Sequence, residues 1–353
     1  MNNRSKAIGN EINELEDALT NKRFTFESFN LRTFLQKSRG LRKTLGPVAL
    51  LSIMSFCSPN AAHSQGAVFK QIQAGQFKAA YPQIKAMAQA NPREMSYQYY
   101  LGICAKGAGD KATAELALTK VVAGTVASSP YSANAVQALN QLNPALKPYS
   151  CAPDGKTRRW SPKAMPLKVF IADGVGLNTN LAGRDLASTE MVQVINFLNS
   201  NSLKQIPGYR PHFKRAIADA MQVFDWAIKS KLVNFALVGN ARSADAVVLF
   251  CEQTQEGVNG VTVYPLERGQ PCLIQIALSP VNGLPDAEAF RLVKQAAAVQ
   301  IGHLLGLGRS QNQSDLMFES TQLPGGRGAE KPSPNDLAML RALYSMPCDI
   351  VIK

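Results

Sequence analysis

Apolar and polar residues alternate in two different rhythms along this chain, and the change between them falls near its middle. From residue 66 to 143 the apolar positions recur at helical spacing. Phe69, Ile72 and Phe77, then Tyr81, Ile84 and Met87, mark a first helix pair. Tyr97, Tyr100, Leu101 and Cys104, then Ala114, Leu116, Leu118 and Val121, mark a second, and residues 133–142 predict a fifth helix. Beyond residue 162, short β-rich runs interleave with helical stretches. Strands are expected at 167–171, 235–238, 246–250, 260–264 and 272–278. Helices are expected at 213–228 and 286–305, and from the capping sequence Ser333-Pro334-Asn335-Asp336 through Tyr344. Between the two regions, residues 144–162 carry Pro144, Pro148, Pro153 and Pro162 with Gly155, the composition of an extended connecting chain.

The first region contains a repeat. Ala74-Gly75-Gln76 returns as Ala108-Gly109-Asp110, an offset of 34 residues, and each Ala-Gly stands between two helical patterns. With Tyr100-Leu101-Gly102, this resembles a tetratricopeptide-like module of about two repeats. The resemblance implies stacked helix pairs whose concave face binds peptides or partner proteins. A generic antiparallel bundle shielding the second domain is the plainer reading of the same pattern.

Residues 45–57 form an apolar run preceded by Arg39, Arg42 and Lys43 and followed by small and polar residues, with Ala62-His63-Ser64 suited to a signal peptidase. The run is short of the ~20 residues that span a bilayer. It therefore reads as a secretory signal within residues 1–65, and the mature chain is expected to be periplasmic, envelope-associated or extracellular, with no transmembrane span. The 44 residues ahead of the run exceed an ordinary basic leader, so either the leader is extended or the start lies downstream, at a position such as Leu31, Leu35 or Leu41. Export would leave Cys104, Cys151, Cys251, Cys272 and Cys348, an odd set. Disulfides are plausible for Cys251 and Cys272, which flank a predicted hairpin, and for Cys151 and Cys348. Connectivity is not readable.

The whole chain has 353 residues, 46% hydrophobic and 18% charged, with a formal net charge of +13. That length suits about two domains and excludes a wholly disordered chain or a polytopic membrane protein. No dense Lys/Arg run with interleaved aromatics occurs, so the excess reads as a solvated basic face and nucleic acid is not an expected partner.

The chemistry concentrates at the end of the long helix, Ala298-Val299-Gln300-Ile301-Gly302-His303-Leu304-Leu305-Gly306-Leu307-Gly308-Arg309-Ser310, followed by Asp315-Leu316-Met317-Phe318. This segment resembles the matrixin branch of the metzincin metalloproteases, whose pattern is H-E-x-x-H-x-x-G-x-x-H with a downstream Met-turn. His303 matches the second zinc histidine, Gly306 the glycine and Met317 the Met-turn. The resemblance covers roughly residues 155–347. It implies an α+β chain: an all-α tetratricopeptide-like module at 66–143, a linker at 144–162, and a metzincin-like mixed sheet with a long motif helix at 163–353.

The departures fall on the chemical positions. Val299 stands at the first zinc ligand, Gln300 at the catalytic glutamate and Arg309 at the third ligand. Valine has no lone pair, arginine is a permanent cation without an acceptor, and glutamine cannot take a proton from water. Catalytic zinc needs about three protein ligands. The chain holds three histidines, His63, His212 and His303, and export would remove the first.

The expected function is therefore that of an exported pseudo-metallopeptidase that binds protein or peptide, with no cofactor. Arg309 is expected to hold an acidic group, either Asp315 or a partner carboxylate. Two other readings stand beside it. One is an active zinc metallopeptidase with a displaced site, using His303 with Asp315 or Glu319. The other is a structural envelope protein docking through its helical module.

Overall fold

The computed structural model describes residues 59–174, 188–198, 205–254, 258–265, 270–318, 328–347 and 349–352. The apolar run at 45–57, Glu319 and Cys348 lie outside the described residues.

Among the described residues, five helices come first: α1 (Pro59–Gln73), α2 (Phe77–Ala90), α3 (Met95–Ala108), α4 (Lys111–Gly124) and α5 (Pro130–Leu142). From α2 to α5, each packs on the next. Two apolar clusters hold them. One joins Val68, Ile72, Ile84, Leu101 and Cys104; the other joins Leu118, Val121, Val122, Ala135 and Leu139. Gly75 and Gly109 adopt φ of 72° and 87°, the left-handed turns that let one helix stop and the next fold back. Asp110 caps α4, accepting from Thr113 N at 3.0 Å, and also takes the Tyr81 hydroxyl at 2.7 Å. Gly102 lies so near α4 that an added Cβ would fall 2.5 Å from Leu118 Cγ.

The remaining chain builds β1 (Arg158–Arg159), β2 (Leu167–Ile171), α6 (Ser188–Leu198), α7 (Phe213–Gln222), α8 (Asp225–Lys229) and β3 (Phe235–Leu237). It continues with β4 (Ala246–Cys251), β5 (Gly260–Val263), β6 (Cys272–Ala277), α9 (Asp286–Leu304), α10 (Pro334–Tyr344) and β7 (Ile350–Val351). The main sheet has the order β3-β2-β4-β6-β5, parallel except for the antiparallel edge strand β5. β4 and β6 are buried on both faces, which is why they read as unbroken apolar runs. Val248, Phe250, Ile274 and Ile276 face a core shared with α7 and α9, while Val247, Leu249 and Leu273 face Val194 of α6.

Four features depart from the sequence expectations or lie beyond them. The helix expected over 213–228 is interrupted between α7 and α8, where Phe224 leaves helical backbone geometry at φ −89° and ψ 21° with its ring buried. Helix α6 was not signalled, nor was the two-residue parallel pair of β1 with β7. A disulfide between Cys251 and Cys272, plausible from the sequence, is absent. Cys272 is level with Ala246 and Cys251 with Ala277, so the two sit at opposite ends of neighbouring strands. Five residues of strand separate them by about 16 Å, far beyond disulfide reach. Cys104, Cys151, Cys251 and Cys272 are all buried, and none of them forms a disulfide.

The connecting segment is largely extended, and Tyr149, Cys151 and Trp160 are buried in the main core. Helix α4 packs against α10, and Cys151 N donates to Ala123 O at 3.0 Å. No helix among the described residues is long and apolar enough to cross a membrane.

Candidate functional site

Helix α9 ends where the motif residues begin to matter. Leu307 N donates back to Gly302 O and Gly306 N to His303 O, the paired bonds of a Schellman stop with Gly306 in the left-handed position at φ 95°. Gly306 has a second reason to be glycine. An added Cβ would lie 1.9 Å from Arg158 O, and at Gly308 it would lie 1.9 Å from Ser150 O. Two carbonyls of the connecting segment thus rest on two glycines of the motif. The indole of Trp160 donates to Leu304 O at 2.8 Å and fastens the same contact.

Met317 is fully buried beneath α9, and an added Cβ on Gly302 would lie 2.3 Å from its sulfur. Below it, a polar network joins the turn to α10. Asp315 accepts from Ser310 Oγ, Asn312 Nδ2, Ser333 Oγ and Asn335 Nδ2 at 2.5–3.1 Å. Asp336 accepts from Tyr149 Oη, Leu316 N and Ser333 N, each at 2.8 Å. Four donors saturate a carboxylate. Asp315 is 1% exposed and so does not serve as the partner expected for Arg309, nor as a ligand beside His303. It is the anchor of the turn.

His303 is half-buried, with Nδ1 2.9 Å from Leu307 O. That contact suits a proton on Nδ1 and a lone pair on Nε2. Its backbone carbonyl accepts from the Tyr264 hydroxyl. Val299 is half-buried and packs against the main core. Gln300 is 4% exposed, and Thr262 Oγ1 donates to both its Oε1 and its carbonyl at 3.0 Å. Gly260 lies so close that an added Cβ would be 2.8 Å from Gln300 Cγ. Gln300 therefore ties the helix to edge strand β5. Arg309 is exposed at the rim. His212 stands at the N-cap of α7 between the rings of Phe213 and Phe290.

A cavity of about 430 Å³ opens between the end of α9, strand β5 and the connecting segment. His303, Gln300, Arg309, Thr262, Tyr264 and Arg158 line it, and Cys151 forms part of its floor. Burial pushes the Cys151 thiol up to about 12, with a hydrogen bond from the Gly308 backbone acting only partly against it. Burial also holds Tyr264 well above the ordinary phenol range. Neither is an activated nucleophile. The sequence offered no signal for Thr262, Tyr264 or Arg158 beyond a strand and a linker.

These residues do not fit a catalytic zinc. Of the four motif positions only His303 carries a ligating nitrogen; Val299 is packed in apolar contact and Gln300 is engaged with Thr262. Among the described residues, no three of His, Cys, Asp and Glu gather as a metal site.

No protein-family model matches the chain, and no curated protein does. Among solved structures it is similar to an archaemetzincin from Methanopyrus kandleri, with 14% identity and a TM-score of 0.26, over 50% of this chain and 95% of that one. It is also similar to metalloproteinase-II from Bacteroides fragilis, with 14% identity and a TM-score of 0.25, over 53% of this chain and 56% of that one. At these values the likeness carries no functional argument.

Proposed function

We propose that the chain is a metzincin-like, matrixin-type pseudo-metallopeptidase that holds an extended peptide in its cleft without cleaving it. The observation that carries this is the use made of Gln300. The residue at the general-base position is buried and bonded to Thr262 of β5, so it shapes the cleft wall instead of facing a water. Strand β5 supplies the binding edge. Asn259 O accepts from Ala277 N, so in an antiparallel ladder Asn259, Val261 and Val263 bond toward β6. Gly260 and Thr262 then point their backbone groups away from the sheet, where a peptide adds as a further strand.

The helical part is read as a tetratricopeptide-like partner module. The 34-residue offset, the matched left-handed Gly75 and Gly109, and the close Gly102–Leu118 contact support this. Export rests on the sequence of residues 45–64 and is checked by the N-terminal sequence of the mature protein.

The test combines metal content with exchange. After dialysis and incubation with zinc, the purified protein is expected to retain far less than one zinc per chain. It is expected to leave casein intact, and unfolded casein should slow amide exchange at Gly260 and Thr262. Casein cleavage that is abolished by a chelator and by His303→Ala would overturn the reading in favour of a displaced zinc site. Unchanged exchange on β5 would remove the peptide-binding half of it.

A further inference from the structure

Two buried carboxylates lie side by side beneath the cleft wall. Asp315 and Asp336 share Ser333, whose Oγ donates to Asp315 Oδ1 at 2.7 Å while its backbone N donates to Asp336 Oδ2 at 2.8 Å. The donors to the pair come from Ser310, Asn312, Asn335, Ser333, Leu316 and Tyr149, and each is a neutral group. Like charges so placed disfavour one another, and burial disfavours both.

The donors to Asp336 divide by atom. Leu316 N and Ser333 N both serve Oδ2, and a backbone N–H cannot reverse its role. Tyr149 Oη serves Oδ1, and a phenol can accept as well as donate. A proton added to this carboxylate therefore goes to Oδ1. Tyr149 then accepts, and its own hydrogen loses the acceptor it had. The residues that follow Tyr149 build the cleft: Ser150 O rests on Gly308, and Cys151, whose N donates to Ala123 O, forms part of the floor.

We propose that Asp336 and Tyr149 form a proton-operated latch on the cleft wall. One proton taken from water onto Asp336 Oδ1 reverses their bond and releases the connecting segment at Ser150 and Cys151. The latch gives the cleft of the proposed function a control, and rests on that reading only for what it controls. Among the described residues, the titratable groups that face Asp336 are Asp315 from the turn and Tyr149 and Cys151 from the connecting segment. Helix α4, packed on α10, brings Lys111 and Glu115 to a groove beside Ala338 and Arg341. Burial lifts the Asp336 carboxyl above the ordinary carboxylate range and the Asp315 charge adds to this, while the bonds from Ser333, Tyr149 and Leu316 oppose it in part. Burial also holds Tyr149 well above the phenol range, so it keeps its own proton while Asp336 gains one. The folded chain thus takes the proton at a higher pH than the unfolded chain, whose value is near 4. Across that window this group's contribution to stability rises as pH falls. The proton loosens the wall without unfolding the chain.

The experiment follows amide exchange by mass spectrometry in the full-length mature protein, from about pH 7.5 to about pH 4.5, with each rate divided by its unstructured reference at the same pH. Protection at Cys151 and Ala152 is expected to fall about tenfold over the range, the scale of one charge-assisted bond. Thr113 N, bonded to Asp110, whose carboxyl is held down to about 2, should show no such fall. Asp336→Asn keeps an acceptor for Leu316 and Ser333 and turns a donor toward Tyr149, as the neutral acid does, so its protection should be low at every pH.

Constant protection at Cys151 and Ala152 in the parent would overturn the proposal, and that measurement needs no variant. A tenfold fall that persists in Asp336→Asn would overturn it in favour of Asp315 as the site of protonation. High protection at every pH in Asp336→Asn would overturn it as well, because a neutral residue would then keep the wall closed. A fall at Thr113 equal to that at Cys151 would overturn it in favour of general loosening in acid. None of these measurements uses a peptide, so strand addition at β5 stands or falls separately.

Discussion

Glycine substitutions at Gly306 and Gly75 separate two roles that the residue plays here. Both sit at positive φ, but Gly75 has nothing within 4 Å of a would-be Cβ, whereas Gly306 meets the Arg158 carbonyl at 1.9 Å. Gly75→Ala is expected to cost about 1–2 kcal/mol, the left-handed penalty alone. Gly306→Ala adds an overlap with backbone that cannot rotate away, and should cost about 3 kcal/mol or more. Urea unfolding of the two variants measures the difference. The motif helix allows a converse test. The combined change V299H, Q300E and R309H restores three zinc ligands and a general base to the pattern, and should raise zinc retention to about one per chain. Retention no higher than in the parent would count against a metzincin-like helix geometry.

At the scale of elements, α4 has a titratable start. Hydrogen bonds from Tyr81 and from Thr113 hold Asp110 down to about 2. A depressed carboxylate stabilises the fold above its unfolded value, near 4, and the benefit fades as pH falls toward 2. The parent should therefore lose thermal stability over that window. Asp110→Asn should start lower and change less, as followed by helix ellipticity.

Elements with a continuous or periodic apolar signal were legible: β2, β4 and β6, α9, and the Ser333 capping box of α10 all fall where the sequence places them. The junction of α7 and α8 was not, because Phe224 keeps the helical spacing while the backbone turns. Pairing of β1 with β7 was not legible either, since two residues of Arg-Arg carry no alternation. At the site, spacing from His303 singled out Val299, Gln300 and Arg309 as the positions that depart from the resembled pattern. It did not reveal that Gln300 joins β5 or that Asp315 anchors the turn. Both depend on residues far apart in sequence, Thr262 in one case and Ser333 and Asn335 in the other.

At the scale of the molecule, the described residues from Val68 onward form one compact unit. The connecting segment bonds to both sides, Tyr149 to Asp336 at 2.8 Å, Lys147 N to Asn335 at 2.7 Å and Cys151 N to Ala123 O of α4, and α4 itself packs against α10. Unfolding followed by fluorescence of Trp160 and Trp226, both outside the helical module, should coincide with loss of helix ellipticity. Tyr149→Phe removes one of three donors to a buried carboxylate and should cost about 1–3 kcal/mol; two separated transitions in that variant would identify this bond as what couples the parts. Burial raises Asp336 despite those donors, so its charge depends on keeping them.

The small β1–β7 pair has a further consequence for how such a chain is made. Thr157 is held by Asp349, 192 residues later, and Arg159 by Ile352. At about 5–20 residues per second, a ribosome needs roughly 10–40 s to supply that distant partner. The helices, whose contacts are local, can close long before. For roughly the first 7–29 s of that interval the newly made indole of Trp160 has no Leu304 carbonyl to meet, because Leu304 lies 144 residues further on. Nascent chains are therefore most exposed to proteases and most in need of a chaperone at the seam just after the helices.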